Sequence, residues 1–75
     1  MTDRTIVDAS TAAYLNAMSP NTVREYATDL WTSTAAADWD GQRLFLYYGG
    51  STVDNRWTCS AGMARSLADW IRKAR

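Results

Sequence analysis

Histidine is missing from this chain, cysteine, proline and lysine occur once each, as Cys59, Pro20 and Lys73, and no apolar run approaches the length of a membrane span. Each absence removes a class of chemistry. Without imidazole there is no Ser-His-Asp or Cys-His nucleophile and no histidine acid or base. A lone cysteine cannot close an internal disulfide or, with histidine absent, build the usual structural zinc site, and it suits an intracellular setting. Lys73 lies in a basic C-terminal run rather than a buried pocket. The start, Met1-Thr2-Asp3-Arg4, is polar and unlike a signal peptide, so a cytoplasmic location is expected. Gly49-Gly50 lacks the further glycines and the lysine of a phosphate loop and reads as turn chemistry, as do Asp38 and Asp40, which flank the Asp40-Gly41 step. The expectation is a protein that is not an enzyme and holds no cofactor and no metal.

At 75 residues the chain has room for one domain, and small domains of this kind need unusual staples. Trp31, Trp39, Trp57 and Trp70, with four tyrosines and Phe45, are the staples on offer. A large aromatic hides roughly 150 to 250 Å² when buried. Three or four of them could replace the missing staples by packing in the core.

Asp8 or Ser10 can cap a short helix carrying Ala12, Leu15 and Met18 on one stripe. Ser19-Pro20 or a Thr22/Glu25 capping box then starts a second helix over residues 20 to 35, with Val23, Tyr26, Ala27, Leu30, Trp31 and Thr34 on one face. Asp40-Gly41 breaks the helical period, and from Gln42 to Tyr48 the period becomes two. Leu44, Leu46 and Tyr48 share one face, while Arg43, Phe45 and Tyr47 share the other. A second strand is placed at Asn55 to Cys59, with Trp57 and Cys59 facing inward. Ser60 caps a last helix whose apolar face runs through Met63, Ala64, Leu67, Ala68, Trp70, Ile71 and Ala74. The predicted fold is a small α+β domain of order ααββα, its two-stranded antiparallel hairpin covered by helices, most naturally the last. Its expected core is Leu15, Val23, Tyr26, Leu30, Leu44, Leu46, Trp57, Met63, Leu67, Trp70 and Ile71.

Formal charge is zero but unevenly spread. Residues 1 to 55 hold seven acids against three arginines, a balance of −4, and residues 56 to 75 hold five bases against Asp69, a balance of +4. The simplest expectation is that the two parts neutralise each other on folding. A protein-binding module is expected, with Phe45 and Tyr47 on the outer hairpin face and Trp39 as anchors and Glu25, Asp29, Asp38 and Asp40 steering the approach of a basic partner; the other arrangement has the N-terminal helices cover that face and bury Phe45 and Tyr47. The alternative is a DNA- or RNA-binding accessory protein that uses Arg56, Arg65, Arg72, Lys73 and Arg75 on phosphates.

Residues 14 to 30, Tyr-Leu-Asn-Ala-Met-Ser-Pro-Asn-Thr-Val-Arg-Glu-Tyr-Ala-Thr-Asp-Leu, resemble the opening helices of the SAM-like core-binding domain of tyrosine recombinases, where a Ser-Pro-x-Thr cap introduces a helix. That resemblance implies DNA binding without strand transfer, since the recombinase's catalytic residues have no counterparts here. The chain departs from that family after residue 30, where its pattern turns to strands. In size and make-up it also resembles the inhibitors that phages and plasmids direct against host defence complexes, such as anti-CRISPR proteins. Those act by occupying a partner's surface, often one that binds nucleic acid.

Overall fold

The order of elements is α1 (Ala9–Asn16), α2 (Pro20–Leu30), β1 (Thr34–Trp39), β2 (Leu44–Tyr48), β3 (Arg56–Thr58) and α3 (Ala61–Ala74), in a computed structural model that describes residues 4–48 and 56–75, with the Arg56 side chain outside the description. The class is α+β, and the predicted strand pair is present. β2 and β3 run antiparallel, with Phe45 opposite Thr58, Leu46 opposite Trp57 and Tyr47 opposite Arg56. The predicted Gly49-Gly50 turn and Asn55 lie outside the described residues.

Three serine and aspartate caps set the helix starts. Asp8 accepts from the Thr11 N–H at 3.1 Å and the Ser10 hydroxyl at 2.9 Å, and these bonds to its charged form hold its carboxyl below the usual aspartate value. Ser19 is the cap of α2, with Pro20 in the first turn, and it accepts from the Thr22 N–H at 3.2 Å. Ser60 does the same for Met63 at 3.3 Å.

The second helix stops at Leu30, five residues earlier than its period suggested. Trp31 leaves helical geometry, and its carbonyl receives both the Thr34 N–H at 2.9 Å and the Thr34 hydroxyl at 2.7 Å, closing a turn into β1. Ala35 to Ala37, good helix formers, are extended because the strand pairs with β2, Ala36 opposite Tyr47 and Ala37 opposite Leu46, with Ala35 at the bulge. A bulge between Thr34 and Ala36 lets both Thr34 and Ala37 point inward, three residues apart. The sheet is thus three-stranded, in the order β1-β2-β3.

One core cluster joins Leu15, Val23, Ala27, Leu44, Leu46, Ala64, Leu67, Ala68 and Ile71 with Val7, Ala37 and Cys59. Tyr26, Leu30 and Met63 pack against it half-buried, as do Trp31 and Trp39. The staple role expected of the tryptophans falls instead to aliphatic side chains and alanines. Trp57 is 63% exposed, contrary to its predicted place in the core. Its register opposite Leu46 gives it the inner face, but β3 is the edge strand and no helix packs closely on it among the described residues. The closest helical cover is α2 along β1, not α3, because small Ala27 and Ala37 let helix and strand approach. α3 packs across α1 and α2. Trp70 is half-buried, and its indole N–H, shut off from solvent, meets no acceptor among the described residues.

At the hairpin tip Gly41 takes φ +98°, a conformation other residues rarely adopt. Asn16, the last residue of α1, grips this tip. Its Nδ2 donates to the Gly41 carbonyl at 3.4 Å and its Oδ1 accepts from the Trp39 indole N–H.

Candidate functional site

The single core lies on the face of Leu44, Leu46 and Ala37, and the alternate residues of the same strands form the opposite face. There Phe45 stands between Asp38 on β1 and Thr58 on β3, and Tyr47 between Ala36 and Arg56. Both rings are half-buried, and neither belongs to the core or packs against it. Among the described residues no helix covers this face. Asp38 organises its rim. One carboxylate oxygen pairs with Arg24 Nη2 at 3.2 Å, and the other accepts from the Tyr47 hydroxyl at 3.3 Å. Arg24 Nε also donates to the Ala37 carbonyl at 3.1 Å, which fixes the guanidinium against β1. The result is an aromatic pair with a phenol whose hydroxyl is held, a geometry suited to contact and to hydrogen bonding.

Phe45 and Tyr47 are therefore brought together as expected, and Trp39 is not. It faces the core side opposite Leu44, with its indole bonded to Asn16. The four acids also separate. Asp40 is turned into the loop, accepting the N–H groups of Gln42 at 2.8 Å and Arg43 at 2.6 Å. Asp38 sits on the sheet face. Glu25 and Asp29 are exposed on α2, where with Thr22 and Tyr26 they line a shallow recess of about 340 Å³.

Of the predicted basic set, Arg65, Arg72 and Lys73 are exposed on α3 and Arg75 is exposed at its C-cap. Arg72 bonds Asp69 at 3.1 Å and lies 4.3 Å over the Tyr14 ring, so its guanidinium has two neighbours while the side chain stays half exposed. A cleft of about 570 Å³ between α1 and α3 sets Arg65 and Arg72 against Asp8 and Asp69, a mixed lining rather than a basic one. The ion pairs Arg24–Asp38 and Arg72–Asp69 each join groups from the same part of the chain. Neutralisation between the two parts, the earlier expectation, does not come from these pairs.

Cys59 is buried, and burial pushes its thiol up to about 11, where it is a poor nucleophile. Among the described residues no helix is long and apolar enough to cross a membrane. Sequence reasoning missed the exposure of Trp57. The signal for it was topological: a tryptophan on the last and shortest strand is inward by period but sits at the sheet edge away from β1, along which α2 packs.

The chain matches no family model, no curated protein and no solved structure.

Proposed function

We propose that this protein is a non-enzymatic binding module that recognises another protein through the face of its sheet opposite the core, with Phe45 and Tyr47 as anchors. One observation carries the reading: the helices share a single core on one side of the sheet, and the opposite side presents two aromatic rings at its centre. Tyrosine and phenylalanine on strands bring large contact area at small entropic cost. Asp38, held by Arg24, holds the Tyr47 hydroxyl in turn. Blocking a surface needs no catalytic group. The same mode of action belongs to the anti-CRISPR proteins that the chain resembles in size and make-up, which makes a host defence complex the first partner to test.

The test is affinity capture followed by quantitative binding with Phe45→Ala and Tyr47→Ala. Each should raise the dissociation rate by an amount worth roughly 2 kcal/mol while leaving the fold intact. Undiminished binding by both variants would move the interface elsewhere. Retardation of DNA at low salt that vanishes with Arg65→Ala and Lys73→Ala would favour α3 and the nucleic-acid reading.

A further inference from the structure

The two edges of the sheet are finished differently. On β1 the outward Ala37 carbonyl is taken by Arg24, the charged Asp38 sits beside it and a bulge distorts the strand, devices that discourage strand pairing. Among the described residues β3 has no bulge and no side chain that takes an outward carbonyl; its one charged residue is Arg56, and its central residue, Trp57, is 63% exposed.

Hydrogen-bond alternation shows what that edge can accept. The Cys59 N–H donates to the Leu44 carbonyl at 2.8 Å, so the next hydrogen-bonded pair toward the start of β3 is Trp57 with Leu46. The N–H and C=O of Trp57 are thus spent on β2, whereas those of Arg56 and Thr58 point to the open side. An edge offering two such residues around a central one is complementary to itself. In an antiparallel pairing about Trp57, Arg56 exchanges both backbone bonds with Thr58 of the other copy, and Thr58 with its Arg56. Every outward backbone group of the three-residue strand is then satisfied. The register also sets each arginine opposite a neutral threonine and not opposite another arginine. The two Trp57 residues meet in the closer, non-hydrogen-bonded position, where cross-strand aromatic pairs gain most.

We propose that β3 pairs with β3 of a second copy of this chain, about a two-fold axis through Trp57, joining two three-stranded sheets into one of six strands. A three-residue edge is small for an interface, which puts the dimer in the weak and exchanging class.

Sedimentation of the unmodified chain up to about 1 mM should show a concentration-dependent rise from 8.4 kDa toward twice that mass. Thr58→Pro removes an N–H that faces outward and leaves the bonds of Trp57 to β2 in place, so the variant should stay folded and monomeric; Trp57→Lys should do the same. On the unmodified chain, amide exchange at Arg56 and Thr58 should slow as concentration rises, a readout that does not depend on any variant folding. A monomer throughout the range, a dimer that either folded variant leaves at full strength, or a dimer in which these two amides exchange at the monomer rate would each overturn the proposal.

Discussion

The two faces of one sheet differ in what holds them. On the inner face Leu44, Leu46 and Ala37 are sealed by α2 and α3 side chains. On the outer face Phe45 and Tyr47 rest beside Ala36, Asp38 and Thr58, with polar contacts through Arg24 and Asp38. Residues adjacent in sequence therefore carry opposite duties, Leu46 stability and Tyr47 contact, because side chains alternate along a strand. What separates the faces is cover: among the described residues the helices pack on one side, and the contacts seen on the other are pairwise.

The sharpest test of that contrast is Leu46→Ala, which opens a cavity in the sealed layer and should cost roughly 2 to 5 kcal/mol in chemical denaturation. Such a loss would unfold most molecules of a domain this small. Cys59 tests the same seal by reactivity. With its thiol pushed up to about 11, labelling of the folded protein near neutral pH should run at least ~100-fold slower than labelling of the unfolded chain. The raised folded value also has a sign. Folding favours the protonated thiol, so that contribution is whole below the unfolded pKa, near 9.0, and is lost as pH rises through about 11. Comparing alkaline unfolding of the wild type with Cys59→Ala should show the variant losing less stability across that window. Smallest of all, Tyr47→Phe on the outer face and Trp57→Ala at the edge should each shift stability by about 0.5 kcal/mol or less, measured at concentrations where the chain is monomeric. A loss of several kcal/mol at Tyr47 would show that its face is load-carrying and erase the distinction.

Much of this was readable beforehand, and the failures share a cause. Asp8, Ser19-Pro20 and Ser60 begin their helices as local chemistry dictates, and the alternation from Leu44 to Tyr48 assigns both faces of β2. β1 was hidden because its bulge restores a three-residue spacing: Thr34 and Ala37 continue the series of Val23, Ala27 and Leu30 as though the helix had gone on. Alanine composition reinforced that reading, and only pairing with a strand later in the chain overrides it. Trp57 was misplaced for a related reason. Period gives a side chain its face but not its neighbours, and whether a helix reaches an edge strand depends on contacts made far away in sequence. The same limit applies to the candidate site. Phe45 and Tyr47 could be paired from alternation alone, whereas the separation of Trp39 required knowing that β1 exists and that Asn16 reaches its end.

The grip of Asn16 has a consequence for how the molecule opens. A helix of eight residues is below the length at which helices persist alone in water, so α1 owes its order to what it touches. What it touches is of two kinds: Leu15 is fully buried in the core, while Asn16 at one end and the stacking of Arg72 on Tyr14 are polar and surface contacts. Detaching α1 therefore costs the Leu15 contact as well as the polar ones, which ties its release to the core it shares with the sheet. Because one bond that must break belongs to the Trp39 indole, the event carries its own fluorophore: emission from Trp39 should change when α1 leaves.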